Sequence, residues 1–511
     1  MKKTTAFLAL FFVLFQLSAQ KALDWKKIDS PKDDYVFKYF YQYTGDVYKG
    51  IFTIPTVKPF QSVKNQIFVR TFNADLSSYT EQGIPSESPY LVSVTGFKDY
   101  TVIYGSTDEN KNPMLQYHAD NKLLVTDAQL NILLNVSYSV HGKKHRFTDT
   151  PSVYRSCDST HLIVINSEIM APDKPSFKAS PTVQFISVYD KDLQLVWKDS
   201  VDFEQIFGKD VPLNNFDMDF MNNKLYVFAS HRAVPTKKLK PTLYIIRYDH
   251  PQSYQVVDKE IFPNDYFSWK YLLNKKGEMY MCGINEVLNS SKNKQLFYMS
   301  LDLNAPDAKP LLKTYTIDKA FIAKYPDYKF ILANYLTYPG SLLLTADGLI
   351  YCSEYHAIVT SSSKYSSSTS YYFKPMTFIK FDLDGNIVWL KMIDKNVQSS
   401  YKYSEYFCRA FYINNEVVVF YYDFVNNIFA EAHKGKPTSP FGNKLCLALA
   451  RIDADGNIVK KVITAVGDDG TSADLNRLRQ ISDTRFFMTG SGINLKTRGD
   501  YVTFYDLKEK E

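Results

Sequence analysis

The stretch Thr377 to Ile393, TFIKFDLDGNIVWLKMI, sets the pattern that organises the chain. Apolar and β-branched residues (Phe378, Ile379, Phe381) run into the polar segment Asp382-Leu383-Asp384-Gly385-Asn386, and Ile387, Val388, Trp389 and Ile393 resume the apolar run. Gly385 tolerates positive φ, and Asp or Asn side chains bond the local backbone, so the chain can reverse here. The pattern is too short and too broken for a helix and reads as strand, tight turn, strand.

The same arrangement recurs. LCLALARIDADGNIVKKVI (Leu445 to Ile463) aligns Asp453 with Asp382, and VQFISVYDKDLQLVWKDSV (Val183 to Val201) aligns Asp190 and Trp197 with Asp382 and Trp389. Weaker copies centre on Asn73, Asp127, Asp249, Asp302 and Asp506, and the anchors lie 53 to 80 residues apart. Periodic self-similarity on this scale marks a repeat architecture. Before most hairpins lies another pair of apolar runs, such as Phe216–Phe220 with Leu225–Ala229 and Phe407–Tyr412 with Val417–Tyr422. Four antiparallel strands per unit make the blade of a β-propeller, an all-β fold. A row of isolated small sandwiches is disfavoured, because units this short bury little core separately.

The ends of the chain complete the ring. Leu23-Asp24-Trp25-Lys26-Lys27-Ile28-Asp29 resembles the fourth strands VWLKMID and VWKDSVD, whereas the last repeat stops one strand short after Asp506. An N-terminal strand around Trp25 is therefore expected to complete the C-terminal blade, hiding the sheet edges. That closure predicts eight blades, or seven if residues 34–60 do not form an inner pair. Tyr and Phe far outnumber Trp, and 45% of the 511 residues are hydrophobic, which suits a sheet-rich fold of this size.

Residues 1–20 read as a signal peptide: Lys2 and Lys3, then the apolar run Ala6 to Leu17, then small residues at Ser18 and Ala19. The apolar run is too short to span a membrane comfortably, no later stretch approaches a span, and no Cys follows it to carry a lipid. Residues 21–511 form the expected propeller domain, exported to the periplasm or surface of a bacterium with an outer membrane. Formal charge is +6, to which Lys2 and Lys3 contribute two, so the mature chain is only mildly basic. Nucleic acid is disfavoured as a partner for an exported chain of such modest charge. The five cysteines are scattered, contain no C-x-x-C, and are expected to be buried free thiols.

Long connections fall between the second and third strands of the units, which places them on one face, while the short turns collect on the other. These connections carry a basic excess: Lys174 and Lys178; Arg232, Lys237, Lys238 and Lys240; Lys292 and Lys294; Lys434 and Lys436; Lys496 and Arg498. If their fields add, they attract an acidic polymer or protein; solvated surface lysines are the bland alternative. Tyr365 and Phe441 supply aromatics on the same connections, and the serine-rich run Ser361 to Ser370 reads as a mobile loop.

Catalytic and metal motifs are absent from the sequence. The Asp-x-Asp-Gly-Asn segments place Gly fourth rather than sixth and lack the terminal Glu, so they are hairpin turns and not calcium loops. His141 and His145 lie in a His-Gly-Lys-Lys-His loop whose lysines oppose a cation, and no G-x-S-x-G offers a nucleophile elbow. The segments D-L-D-G-N-I-V-W and Y-D-K-D-L-Q-L-V-W resemble the third-to-fourth strand of quinoprotein-type (PQQ-like) propeller repeats, with Trp25, Trp197 and Trp389 at the Trp position. Lys460 and Leu134 depart from it, and no residue carries over as a quinone or calcium site, so no cofactor is expected.

The expectation is an exported, non-enzymatic propeller that binds an acidic envelope glycan or a protein partner through Lys237, Lys238, Lys240, Tyr365, Lys434, Lys436 and Phe441. Two alternatives stay open. One is a polysaccharide hydrolase or lyase, which requires carboxylates, or His with Tyr, converging at the axis. The other is a structural subunit of an envelope assembly.

Overall fold

Asp382 shows why the chain reverses where it does. Its carboxylate accepts the backbone N–H of Asn386 at 2.7 Å and the Asn386 amide at 2.8 Å, while the Gly385 N–H donates to the Asp382 carbonyl at 3.0 Å. Asp453 with Asn457 and Asp127 with Asn131 repeat these contacts, and Asp190 accepts the backbone N–H groups of Asp192 and Gln194. The residue three places after the anchor is left-handed in six blades: Leu76, Leu130, Leu193 and Gln252 at φ 62 to 65°, Gly385 at 78° and Gly456 at 82°.

In the computed structural model these turns join the outer strands of eight separate antiparallel sheets, the blades of a propeller. The structure describes residues 23–28, 36–44, 47–53, 66–85, 90–106, 117–118, 120–139, 145–148, 152–170, 183–209, 211, 213–234, 237–263, 266–286, 294–305, 309–326, 336–362, 367–399, 408–428, 445–465, 471–492 and 499–507. The expected signal segment lies outside them. Blades are numbered in chain order from the sheet that begins with Val36–Thr44 and Val47–Thr53. That pair exists, so the ring has eight blades and not seven. Lys26–Ile28 pairs with the strand Asp500–Asp506 in the register Lys26↔Val502, Lys27↔Tyr501, Ile28↔Asp500, and so completes blade 8. The Thr503 hydroxyl adds a 2.9 Å bond to the Asp24 carbonyl.

The turns also join neighbouring blades. With Asp382 satisfied within its own turn, the next carbonyl, Leu383, is left to accept the Tyr298 hydroxyl of blade 5 at 2.8 Å. The equivalent Ala454 carbonyl of blade 7 accepts the Trp389 indole of blade 6 at 2.9 Å, and the Leu303 carbonyl of blade 5 accepts Tyr226 of blade 4 at 3.4 Å. The left-handed position fills the same gap in one of two ways. Leu130 buries itself against Ile51, Ile67 and Ile84 of blade 1, and Leu76 against Ile28 and Val502 of blade 8. Gly385 and Gly456 instead leave room for a neighbour, since a Cβ there would lie 2.5 Å from the Tyr298 ring and 2.4 Å from the Lys391 side chain.

The long connections do lie between second and third strands, but two of them differ from expectation. The serine-rich run is not a loop at most of its positions. The strands Gly348–Ser362 and Ser367–Asp382 extend through it with Thr360↔Thr369, Ser361↔Ser368 and Ser362↔Ser367 paired. A ladder whose register is already fixed by the blade continues through any residues that can pair by backbone, and Ser and Thr can. In blade 2, Tyr117–His118 leaves its own sheet and pairs with His145–Thr148 of blade 3, adding a strand on the inner side of that blade.

Replacing Gly385 with Ala is expected to destabilise the fold by about 1–3 kcal/mol, through its positive φ and its contact with Tyr298. Trp389→Phe should cost about 1–2 kcal/mol by orphaning the Ala454 carbonyl. Exposed Asp384→Ala in the same turn should change stability by less than about 0.5 kcal/mol. Chemical unfolding of the three variants checks the order, and an unchanged Gly385→Ala midpoint would remove the docking argument.

Candidate functional site

The innermost strand of blade 4, Leu213–Met221, reads LNNFDMDFM. Strand alternation sends Phe216, Met218 and Phe220 into the core shared with blade 3, against Trp197 and Phe203. The opposite face then carries two carboxylates, Asp217 and Asp219, towards blade 5. They line a cavity of about 530 Å³ together with Tyr154, Arg155 and Cys157 of blade 3 and Tyr271 of blade 5. Apart from Ile165 on the second strand of blade 3, the lining residues belong to, or directly follow, first strands, which places the cavity beside the propeller axis.

Its position along the axis follows from Cys157, which sits in the short turn between the first two strands of blade 3. The Cys157 N–H donates to Asp219 at 3.1 Å, and its thiol lies 3.9 Å from the Asn274 carbonyl in the matching turn of blade 5. The cavity therefore occupies the short-turn end of the axis. The long connections and the added Tyr117–His118 strand lie towards the other end.

The polar groups are partly tied down. Asp219 accepts the Phe220 N–H at 2.7 Å, Asp217 accepts the Met218 N–H at 2.9 Å, and the Tyr154 hydroxyl donates to the Met218 carbonyl at 2.7 Å. Burial outweighs these bonds and pushes Asp219 up to about 6. Asp217 is also raised by burial, offset in part by backbone bonding and by Lys270. Burial, reinforced by the two acids, holds the Tyr154 and Tyr271 hydroxyls well above the ordinary phenol range. The Cys157 thiol is pushed up to about 12 by burial and Asp219, which makes it a poor nucleophile. The cavity thus offers a carboxyl group that exchanges its proton near pH 6, beside phenols that stay neutral and are bonded to the Met218 carbonyl.

Of the residues singled out from the sequence, Lys237, Lys238 and Lys240 are exposed on a short loop closed by the Val234↔Leu239 bridge, and Lys237 donates to the Lys209 carbonyl. Tyr365, Lys434, Lys436 and Phe441 lie outside the described residues. Lys294 does not belong to a basic surface: it is buried, 3.0 Å from the buried carboxylate of Glu286. A second buried group stands at the same end of blade 6, where Glu354 accepts from Lys395 and, at 3.0 Å, from His356. Burial pushes Glu354 up, but Lys395 and His356 together hold it below the usual carboxylate range. All five cysteines are free thiols; four are buried, as expected, and Cys157 is only partly so. Among the described residues no group of three or more His, Cys, Asp or Glu side chains could hold a metal ion, and no helix is long and apolar enough to cross a membrane. Asp217 and Asp219 were not singled out, although acids at i and i+2 within an apolar innermost strand were visible in the sequence.

No family model matches the chain, and no curated protein matches it in sequence. Solved propellers do resemble it in shape. The β-propeller domain of the Trilobed protease from Pyrococcus furiosus, described as having an open velcro topology, is 11% identical over 85% of this chain and 97% of its own, with a TM-score of 0.34. The polysaccharide lyase Uly1 is 9% identical over 96% and 94%, with a TM-score of 0.37. An acylaminoacyl peptidase from Pyrococcus horikoshii is 9% identical, with a TM-score of 0.30, and this chain spans 56% of its length. Likenesses this remote carry no argument about activity.

Stability should report the state of Asp219. Because its folded pKa is raised, the folded protein holds a proton between pH 4 and 6 that the unfolded chain has lost, so this contribution is fully present below pH 4 and gone above about 6. Asp219→Asn removes that dependence. The variant is expected to gain on the wild type as pH rises from 4 to 7, by on the order of 3 kcal/mol. A wild-type-to-variant difference that is flat with pH would contradict the assignment.

Proposed function

We propose that this is an exported propeller that binds a polyhydroxylated glycan in its axial cavity. The observation that carries the reading is the pair Asp217 and Asp219, set on one face of an innermost strand and opening into a cavity of about 530 Å³. That volume is in the range of ligand sites. Carboxylates accept hydrogen bonds from sugar hydroxyls, Arg155 supplies donors, and Tyr154 and Tyr271, whose hydroxyls are bonded to the Met218 carbonyl, supply ring faces around them. The exposed Lys237-Lys238-Leu239-Lys240 loop would act at the other end of the ring by drawing in an acidic polymer.

One observation favours a catalytic version of this reading. A carboxyl group pushed to about 6 beside a second acid is suited to general acid–base work on a glycosidic bond. Catalysis would appear as glycan fragments released with a pH profile that turns over near 6 and is lost in Asp219→Asn.

The binding test compares three proteins by calorimetry on a panel of purified glycans. Asp217→Asn/Asp219→Asn is expected to weaken binding at least tenfold, about 1.4 kcal/mol. Lys237→Glu/Lys238→Glu/Lys240→Glu should mainly alter the salt dependence. Loss of binding in the lysine variant with full retention in the carboxamide variant would move the site to the long-connection face.

A further inference from the structure

The innermost strand of blade 8, Thr471–Gln480, is out of register with its partner. Asp474 faces Thr489 and Arg479 faces Phe487, so the inner strand spends five residue steps where its neighbour spends two. Leu475 and Leu478 anchor this bulge in the core at 0% and 1% exposure, which turns Asn476, Arg477 and Arg479 away from it. Bulges of this kind are enriched beside functional sites, where they re-aim side chains.

The bulge gathers arginines. Arg409, on the innermost strand of blade 7, donates through Nε to the Leu475 carbonyl at 3.0 Å and through a terminal nitrogen to the Asn476 carbonyl at 3.1 Å. Arg479 donates to the Asn476 and Leu478 carbonyls, each at 2.9 Å. Arg477 pairs with Asp474 at 3.2 Å. Among the described residues Asp474 is the carboxylate paired within this group, and desolvation, followed by repulsion from Arg409 and Arg477, lowers the basicity of Arg479. Backbone carbonyls fix two of the three cations without neutralising them. Arg477 and Arg479 fall in the second half of the first strand of their blade, as Asp217 and Asp219 do in blade 4. Both pairs therefore lie towards the short-turn end of the axis, and in a ring of eight, blade 8 stands opposite blade 4.

We propose that Arg409, Arg477 and Arg479 form an oxyanion subsite, so that the glycan bound at the axis is an acidic one whose carboxylate or sulfate groups are held by blades 7 and 8. This rests on the axial reading above and names its ligand class. Planar guanidinium groups bind such oxyanions in two-pronged fashion, and their positive charge supplies an attraction that neutral sugars lack.

The probes are trigalacturonate, a sulfated maltotriose and uncharged maltotriose, measured by calorimetry at low salt on the full mature chain. Arg477→Gln/Arg479→Gln spares Arg409, which bridges two blades. It is expected to weaken both anionic probes, or whichever of them binds, at least tenfold and to leave maltotriose unchanged, with an unaltered melting temperature showing that the fold is intact. If the melting temperature falls, Arg477→Lys alone is used. It retains charge but not the planar fork, and should still weaken the anionic probe severalfold. Preference for trigalacturonate over the sulfated sugar, or the reverse, identifies the oxyanion. Anionic probes that fail to bind the wild type, or that bind the arginine variants as well as the wild type, overturn the proposal. Failure of the axial reading shows differently, as maltotriose or trigalacturonate binding that is indifferent to Asp217→Asn/Asp219→Asn.

Discussion

An aspartate that satisfies its own turn is the contact on which the ring depends. By taking up the N–H groups of the hairpin, Asp382 and its counterparts leave the following carbonyl without a partner in its own blade, and the preceding blade supplies one. A buried carbonyl without a donor is costly, so each turn specifies that a neighbour be present and in register. The left-handed position completes the fit by size: leucine where the preceding blade has a gap, glycine where it projects a tyrosine or lysine. Stability of a blade is thereby coupled to that of the next, as in other repeat folds where interfaces carry much of the energy.

This explains what the sequence disclosed and what it withheld. Blade number, the hairpin turns and the closing strand around Trp25 are legible because each depends on a local signal with a fixed offset, such as Asp382 to Trp389. The leucines at positions 76, 130 and 193 are not recognisable as turn residues, because left-handed leucine is rare and is held there by the adjoining blade. The serine-rich segment misleads for the converse reason. Its composition suggests a loop, but register inherited from Gly348 to His356 carries the pairing through it. The basic face was read from charge alone, and Lys294 shows the weakness of that signal, since a loop lysine can turn inward to a buried glutamate.

The axial groups depend on the ring as a whole. Asp217, Asp219, Tyr154 and Tyr271 come from three blades, and Arg409, Arg477 and Arg479 from two others. No spacing in the chain brings them together. Desolvation is the largest cause of the shift at Asp217, Asp219 and Arg479 alike, although Asp217 and Arg479 keep access to solvent. Blades 4 and 8, which carry the acids and two of the arginines, stand opposite one another in the ring.

Three residue pairs complete blade 8, and they join the first described segment of the chain to the last. The final sheet therefore cannot form until the whole polypeptide is available, which makes closure the latest event in folding and the most non-local one. The strand is short, yet Leu23 and Ile28 are buried in the cores on either side of blade 8, so its release would open both. The first described segment is thus held by the same two interfaces that seat blade 8 in the ring.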